Sequence, residues 1–131
     1  MKLLYRTLLM LFMMVPVVAI AAPPDKIAEL IRQGNVHELS ALFAPNIEAA
    51  ILDEEDINTK TKTEKALTQF FKEHKPLAVS PLHTISSTVD FDFRVLLLTT
   101  NKGVFRVSYT LKKEERNWVM IELRIEMEKV K

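Results

Sequence analysis

FRVLLLTTNKGVFRVSYTL, residues 93–111, decides the fold. Phe93, Val95 and Leu97 alternate with Arg94, Leu96 and Leu98. Further on, Phe105, Val107, Tyr109 and Leu111 alternate with Arg106, Ser108 and Thr110. A side-chain period of two marks half-buried antiparallel strands. Between the two runs, Asn101–Lys102–Gly103 reads as a three-residue hairpin loop, with Gly103 where positive φ is needed. Such a loop pairs Thr100 with Val104, so Leu97 faces Val107 and Val95 faces Tyr109. The odd-numbered apolar residues of both strands then share one face.

The same period continues on both sides. Val119, Ile121, Leu123, Ile125 and Met127 alternate with Met120, Glu122, Arg124 and Glu126, which predicts a third strand. Setting Arg106 opposite Glu122 keeps Arg106 away from Arg124. Upstream, Leu77–Ser87 reads as a further strand, joined to the first by a turn around Thr88–Asp92.

Before Pro76 the period is that of helices. Asp25 caps a helix carrying Ile27, Leu30 and Ile31 on one face, and Gly34 sits where a left-handed residue ends it. Asn35 with Glu38 starts a second helix, with the stripe Leu39, Leu42 and Phe43 and a stop at Pro45. Ile47–Leu52 is a short strand, and the acidic Asp53–Asp56 a loop. Thr61 with Glu64 opens a third helix carrying Ala66, Leu67, Phe70 and Phe71, which ends at His74–Lys75.

The N-terminus carries a different signal. Lys2 and Arg6 precede an apolar run from Leu8 to Ala22, broken by Pro16 and closing on Ala19 and Ala21 in A-x-A spacing. That pattern predicts a secretory signal peptide over residues 1–21, cleaved after Ala21. A membrane anchor needs about 20 consecutive apolar residues; this run is shorter, contains a proline, and ends without a basic cluster. Removing the first 21 of 131 residues leaves 110, one periplasmic or secreted domain over residues 22–131. Lys2 and Arg6 leave with the signal, so 16 basic residues face 17 acidic ones, a net charge of −1. A near-neutral domain offers no electrostatic footprint for nucleic acid or for a membrane after cleavage. With no cysteine there is no disulfide framework, thiol nucleophile or thiolate metal site.

Two helices, a short strand, a third helix and four antiparallel strands make an α+β chain. It resembles the nuclear transport factor 2-like, cystatin-like architecture, a cone in which N-terminal helices pack on a curved antiparallel sheet of four to five strands. More closely it resembles the small exported bacterial proteins called domain of unknown function 4783. What carries that resemblance is the exported N-terminus, Leu42–Phe43 before Ile47–Leu52, Thr63–Phe71, His83, Asn101–Val107 and Ile121–Glu126. The resemblance implies a fold and assigns no activity.

Candidate chemistry is sparse. Gly34 and Gly103 are the only glycines, which excludes a phosphate-cradling loop or a dinucleotide fingerprint. His37, His74 and His83 lack the i+2 or i+4 partners of a metal pair, so neither metal nor cofactor is expected. His74 suits the C-terminal end of its helix. His83 shares parity with Ile85, which allows either a rim histidine or a general base. Asp90 and Asp92 point the same way on a strand, as an acid–base pair or as turn residues. The inferred concave face carries His83, Phe93 and Tyr109 as candidate ligand-binding residues among aliphatic neighbours. On the opposite face, Leu96, Leu98, Trp118 and Met120 form a partly apolar patch, either scattered surface residues or a self-association interface.

The leading functional reading is a non-catalytic exported module that binds a partner protein, itself, or a small apolar ligand in its cone. The alternative is a small pocket enzyme of isomerase, dehydratase or hydrolase type using His83 and Tyr109. A protease inhibitor on the cystatin scaffold needs an exposed apolar wedge, and the loops at Asn101–Gly103 and Lys112–Asn117 are polar.

Overall fold

The computed structural model describes residues 23–129, without the side chains of residues 23–25 and 83–87. The expected signal peptide lies outside the described residues. Three helices, α1 (Pro23–Gln33), α2 (Val36–Ser40) and α3 (Lys60–Glu73), cover one face of a six-stranded sheet. The strands are β1 (Phe43–Ile51), β2 (Glu54–Ile57), β3 (Pro76–Ser87), β4 (Phe91–Thr100), β5 (Gly103–Glu114) and β6 (Asn117–Met127), in spatial order β2-β1-β6-β5-β4-β3. The sheet is mixed, because β1 runs parallel to β6. It therefore departs from the expected all-antiparallel sheet of four to five strands.

Local chemistry sets the helix ends. Gly34 takes φ +66, and its amide donates to the Ile31 carbonyl while Asn35 donates to that of Leu30. These two bonds form a Schellman cap, and the left-handed residue in it favours glycine. Asn35 caps α2, its side chain accepting from the Glu38 amide at 3.2 Å. α2 then stops at Ser40, and the expected helical stripe at Leu42 and Phe43 instead leads into β1. Pro45 lies in the irregular first half of β1, where pairing shifts between Phe43 and Glu48 and a missing amide costs no ladder bond. The cap of α3 is Thr59, two residues before the expected one, accepting from Lys62 at 3.1 Å. The acidic segment Asp53–Asp56 folds mostly into β2, after a turn in which Leu52 takes φ 55.

Two single-residue events decide which side chains face the helices. The β4–β5 hairpin pairs Thr100 with Gly103, so its loop has two residues, not three. The Thr100 hydroxyl closes that turn, donating to the Gly103 carbonyl at 2.8 Å and accepting from the Lys102 amide at 3.1 Å. Gly103 does take the expected positive φ, +131. A shift of one residue turns every side chain of a strand over. Leu96 and Leu98, opposite Val107 and Phe105, therefore join the core, and Phe93 and Leu97 face away from it.

The second event is a bulge in β6. Thr110 pairs with Glu122 but Leu111 pairs with Met120, leaving Ile121 as an extra residue. The bulge reverses the parity of the preceding segment, so Met120 is buried and Trp118 packs against the core. Further along, Arg106 pairs with Glu126 in place of the expected Glu122, and its guanidinium meets the Glu128 carboxylate at 3.0 Å.

The resulting core lies between sheet and helices. Ile27, Leu30, Ile31, Leu39, Leu67 and Phe70 from the helices meet Leu96, Leu98, Phe105, Val107, Leu111, Met120, Leu123 and Ile125. Asn101 at the β4–β5 turn is tied to the exit of α3: its amide donates to the Lys75 carbonyl and its side chain accepts from the Lys75 amide at 2.8 Å.

Candidate functional site

Of the three expected ligand-binding residues, Phe93 and Tyr109 both line one concavity, described below. Tyr109 is 1% exposed and sits in the core on the helix side of β5. Phe93 is on the other face of the sheet, half-buried, because the two-residue hairpin loop reverses β4. His83 lies on β3 with Val95 as its Cα partner, and its side chain is outside the described residues.

The expected interface fails for related reasons. Leu96, Leu98 and Met120 are 3%, 0% and 0% exposed, and Trp118 packs against the same core. The hairpin register turns the first two inward and the β6 bulge turns the others, so no outer apolar patch of these four residues exists. Exposed large apolar side chains among the described residues are Leu52, Leu77, Val89, Phe91 and Met127. Val89 and Phe91 stand at the β3–β4 turn, which Thr88 closes by accepting the Phe91 amide on its hydroxyl at 3.1 Å.

The remaining candidates take structural places. Asp92 is buried and pairs with Arg94 at 3.3 Å, while Asp90 stays exposed in the turn. His74 closes α3: its amide and its Nδ1 both lie within 3.0 Å of the Phe70 carbonyl, and its ring stacks on Phe70 at 4.5 Å. Among the described residues no group of three or more His, Asp or Glu side chains is placed to hold a metal ion. No helix among them is long and apolar enough to cross a membrane.

A small cavity lies inside the cone. Between helices and sheet, lined by residues including Ile31, Leu39, Leu67, Phe71, Met120 and Leu123, it amounts to about 10 Å³. That volume is at the threshold for a single water. A larger concavity of about 610 Å³ lies on the opposite face, over β1, β6, β5 and β4, and the core residues Ala49, Tyr109 and Leu123 also contribute to its lining. Small-molecule sites commonly occupy about 300–1,000 Å³.

Strand pairing builds the floor of this trough in two rows. Glu48 on β1 is the Cα partner of Glu122 on β6, which partners Thr110 on β5, which partners Phe93 on β4. Beside it run Ala50, Arg124 and Ser108 in the same fashion. Glu55, Asp56, Ile57 and Asn58 of the β1–β2 hairpin and its exit form the rim. Asp56 holds that rim at φ 59, a left-handed conformation unusual for a residue with a side chain.

The lining contains four carboxylates (Glu48, Glu55, Asp56 and Glu122) against the single guanidinium of Arg124. Arg124 is engaged elsewhere, its Nη1 donating to Glu126 at 3.1 Å. Glu122 accepts from the Thr110 hydroxyl at 3.2 Å. Glu48, Glu55 and Asp56 make no ion pair among the described residues. The trough is thus acidic at its β1–β2 end, hydroxylated in the middle and aromatic at the β4 end. Sequence reasoning missed it because its floor is the polar half of the strand alternation. The parallel pairing that sets Glu48 beside Glu122 joins segments about seventy residues apart.

Comparison with known proteins follows the fold. Residues 24–126 match the family model described as Domain of unknown function (DUF4783). A DUF4783 family protein of Bacteroides uniformis is similar at 22% identity and TM-score 0.74, over 82% of this chain and 98% of that one. One from Bacteroides ovatus aligns at 23% identity and TM-score 0.71, over 79% and 94%. An NTF2-like protein of Cytophaga hutchinsonii aligns at 18% identity and TM-score 0.62, over 80% and 92%. The sequence matches no curated protein.

Proposed function

The chain belongs to the DUF4783 family, and from that premise we propose that it is an exported, non-catalytic binding module whose ligand surface is the outer face of its sheet. The observation that carries this reading is the distribution of space. Among the described residues, the cavity between helices and sheet holds about 10 Å³ and the outer trough about 610 Å³. A small apolar ligand does not fit the small cavity between helices and sheet without repacking, and repacking a filled core costs about 1–3 kcal/mol or more. A pocket enzyme needs titratable groups within reach of a substrate proton. Tyr109 is 1% exposed, which leaves its hydroxyl little access to a substrate proton.

Protein-observed NMR with a library of small polar fragments tests the reading. Binders are expected to shift the amides of Glu48, Ser108, Thr110 and Glu122. Hits confined to Leu39, Leu67 and Met120 would return the ligand to the cone. Export is tested separately. Secretion of the full chain from a bacterial host is expected to yield a mature protein beginning at Ala22, as read by N-terminal sequencing. A chain that retains residues 1–21 in the membrane fraction contradicts it.

A further inference from the structure

The trough's charge distribution specifies its occupant, and this inference rests on the outer-face reading above. We infer that the trough docks an extended basic peptide segment, its cationic side chains at the β1–β2 end and an apolar side chain on Phe93. Glu48 and Glu122 stand side by side in register on neighbouring strands. Like charges in that relation oppose sheet formation. No lysine or arginine of the described residues pairs with Glu48, and Glu55 and Asp56 on the rim add two further carboxylates. A ligand cation placed among them removes the repulsion and gains charge-assisted hydrogen bonds.

The dimensions fit. From Glu48 to Phe93 the row crosses three strand spacings, about 14 Å. Four residues of extended chain span about 13 Å. A peptide laid along the row meets carboxylates first, then the Thr110 hydroxyl, then the Phe93 ring. That ring is half-buried, with its partner Thr110 beside it, and offers an apolar or cation–π platform.

The test uses two fluorescein-labelled tetrapeptides, lysine–leucine–lysine–phenylalanine and the version with glutamate in place of lysine, titrated into the mature domain and followed by anisotropy and amide shifts. The lysine peptide is expected to bind and to shift Ser108 and Thr110. Its affinity is expected to fall about tenfold or more in the double variant Glu48→Lys, Glu122→Lys. It should also fall in about 0.5 M salt, where the Debye length drops to a few ångströms. Both positions are exposed, and thermal melts confirm that the variant remains folded. Phe93→Ala is expected to lower affinity by about fivefold, and Glu73→Gln, exposed on α3 and outside the trough, to leave it unchanged. Trough shifts that are equal with the glutamate peptide, or an affinity indifferent to the double reversal, overturn the cationic partner while leaving the outer face as the binding surface. No binding of the lysine peptide at about 1 mM also overturns it. Shifts from both peptides confined to Leu39 and Met120 overturn both readings together.

Discussion

Leu98→Glu is expected to leave the domain unfolded at ambient temperature, whereas Leu97→Glu folds and melts within a few degrees of the parent. Leu98 is 0% exposed and pairs with Phe105 across the centre of the sheet. Removing its side chain alone costs about 2–5 kcal/mol. Placing an unpaired carboxylate in the resulting space costs several more. Together these approach the whole stability of a domain this size, about 5–15 kcal/mol. Leu97 is half-buried on the outer face with Arg106 as its Cα partner, so a carboxylate there meets water and a guanidinium. Circular dichroism and a two-dimensional NMR spectrum of each variant decide the matter. The reverse outcome, a folded Leu98→Glu and an unfolded Leu97→Glu, would establish the three-residue hairpin loop and return β4 to the opposite facing.

Phe105→Ala should lower the melting temperature by about 20 °C. Phe105 is 1% exposed and makes edge-to-face contacts with Phe70 at 5.2 Å and His74 at 5.0 Å. Truncating a buried phenylalanine costs about 3–5 kcal/mol, and each kcal/mol moves the transition of a roughly 100-residue domain by about 4–8 °C. The cost is high because the site cannot collapse. Phe70 and His74 are held by the last turn of α3, which is itself tied to the β4–β5 turn through Lys75 and Asn101. Phe71→Ala, half-buried beside Gly34, should cost much less. Scanning calorimetry measures both, and a fall below about 5 °C for Phe105→Ala would mean that this aromatic cluster contributes little.

These predictions turn on features that the sequence disclosed unevenly. The odd-numbered residues of β5 read correctly as core, because Arg106, Ser108 and Thr110 between them are polar and leave one possible facing. β4 offered no such contrast. Val95, Leu96, Leu97 and Leu98 are all apolar, so its facing depended wholly on the turn, and the Thr100 hydroxyl closes a tighter turn than the glycine suggested. The β6 bulge was hidden for the same reason, since Trp118, Val119, Met120 and Ile121 suit either face. Helix caps were legible where a short polar side chain stood alone, as at Asn35. They slipped where several hydroxyl residues lay close together, as at Thr59, Thr61 and Thr63. The trough was the least legible feature. Its acidic end requires Glu48 and Glu122 to be neighbours, and no local pattern announces a parallel pairing between β1 and β6.

The alternation that buries Tyr109 and Leu123 while leaving Ser108, Thr110 and Glu122 on the far side has an evolutionary corollary. On the proposed reading, recognition and folding are written in interleaved letters of the same strands, so either message can drift without garbling the other. Paralogues can exchange acids for bases, or Phe93 for a smaller group, and inherit an unaltered scaffold. Relatives sharing little more than a fifth of their residues yet the same fold are what such separable inheritance would leave behind.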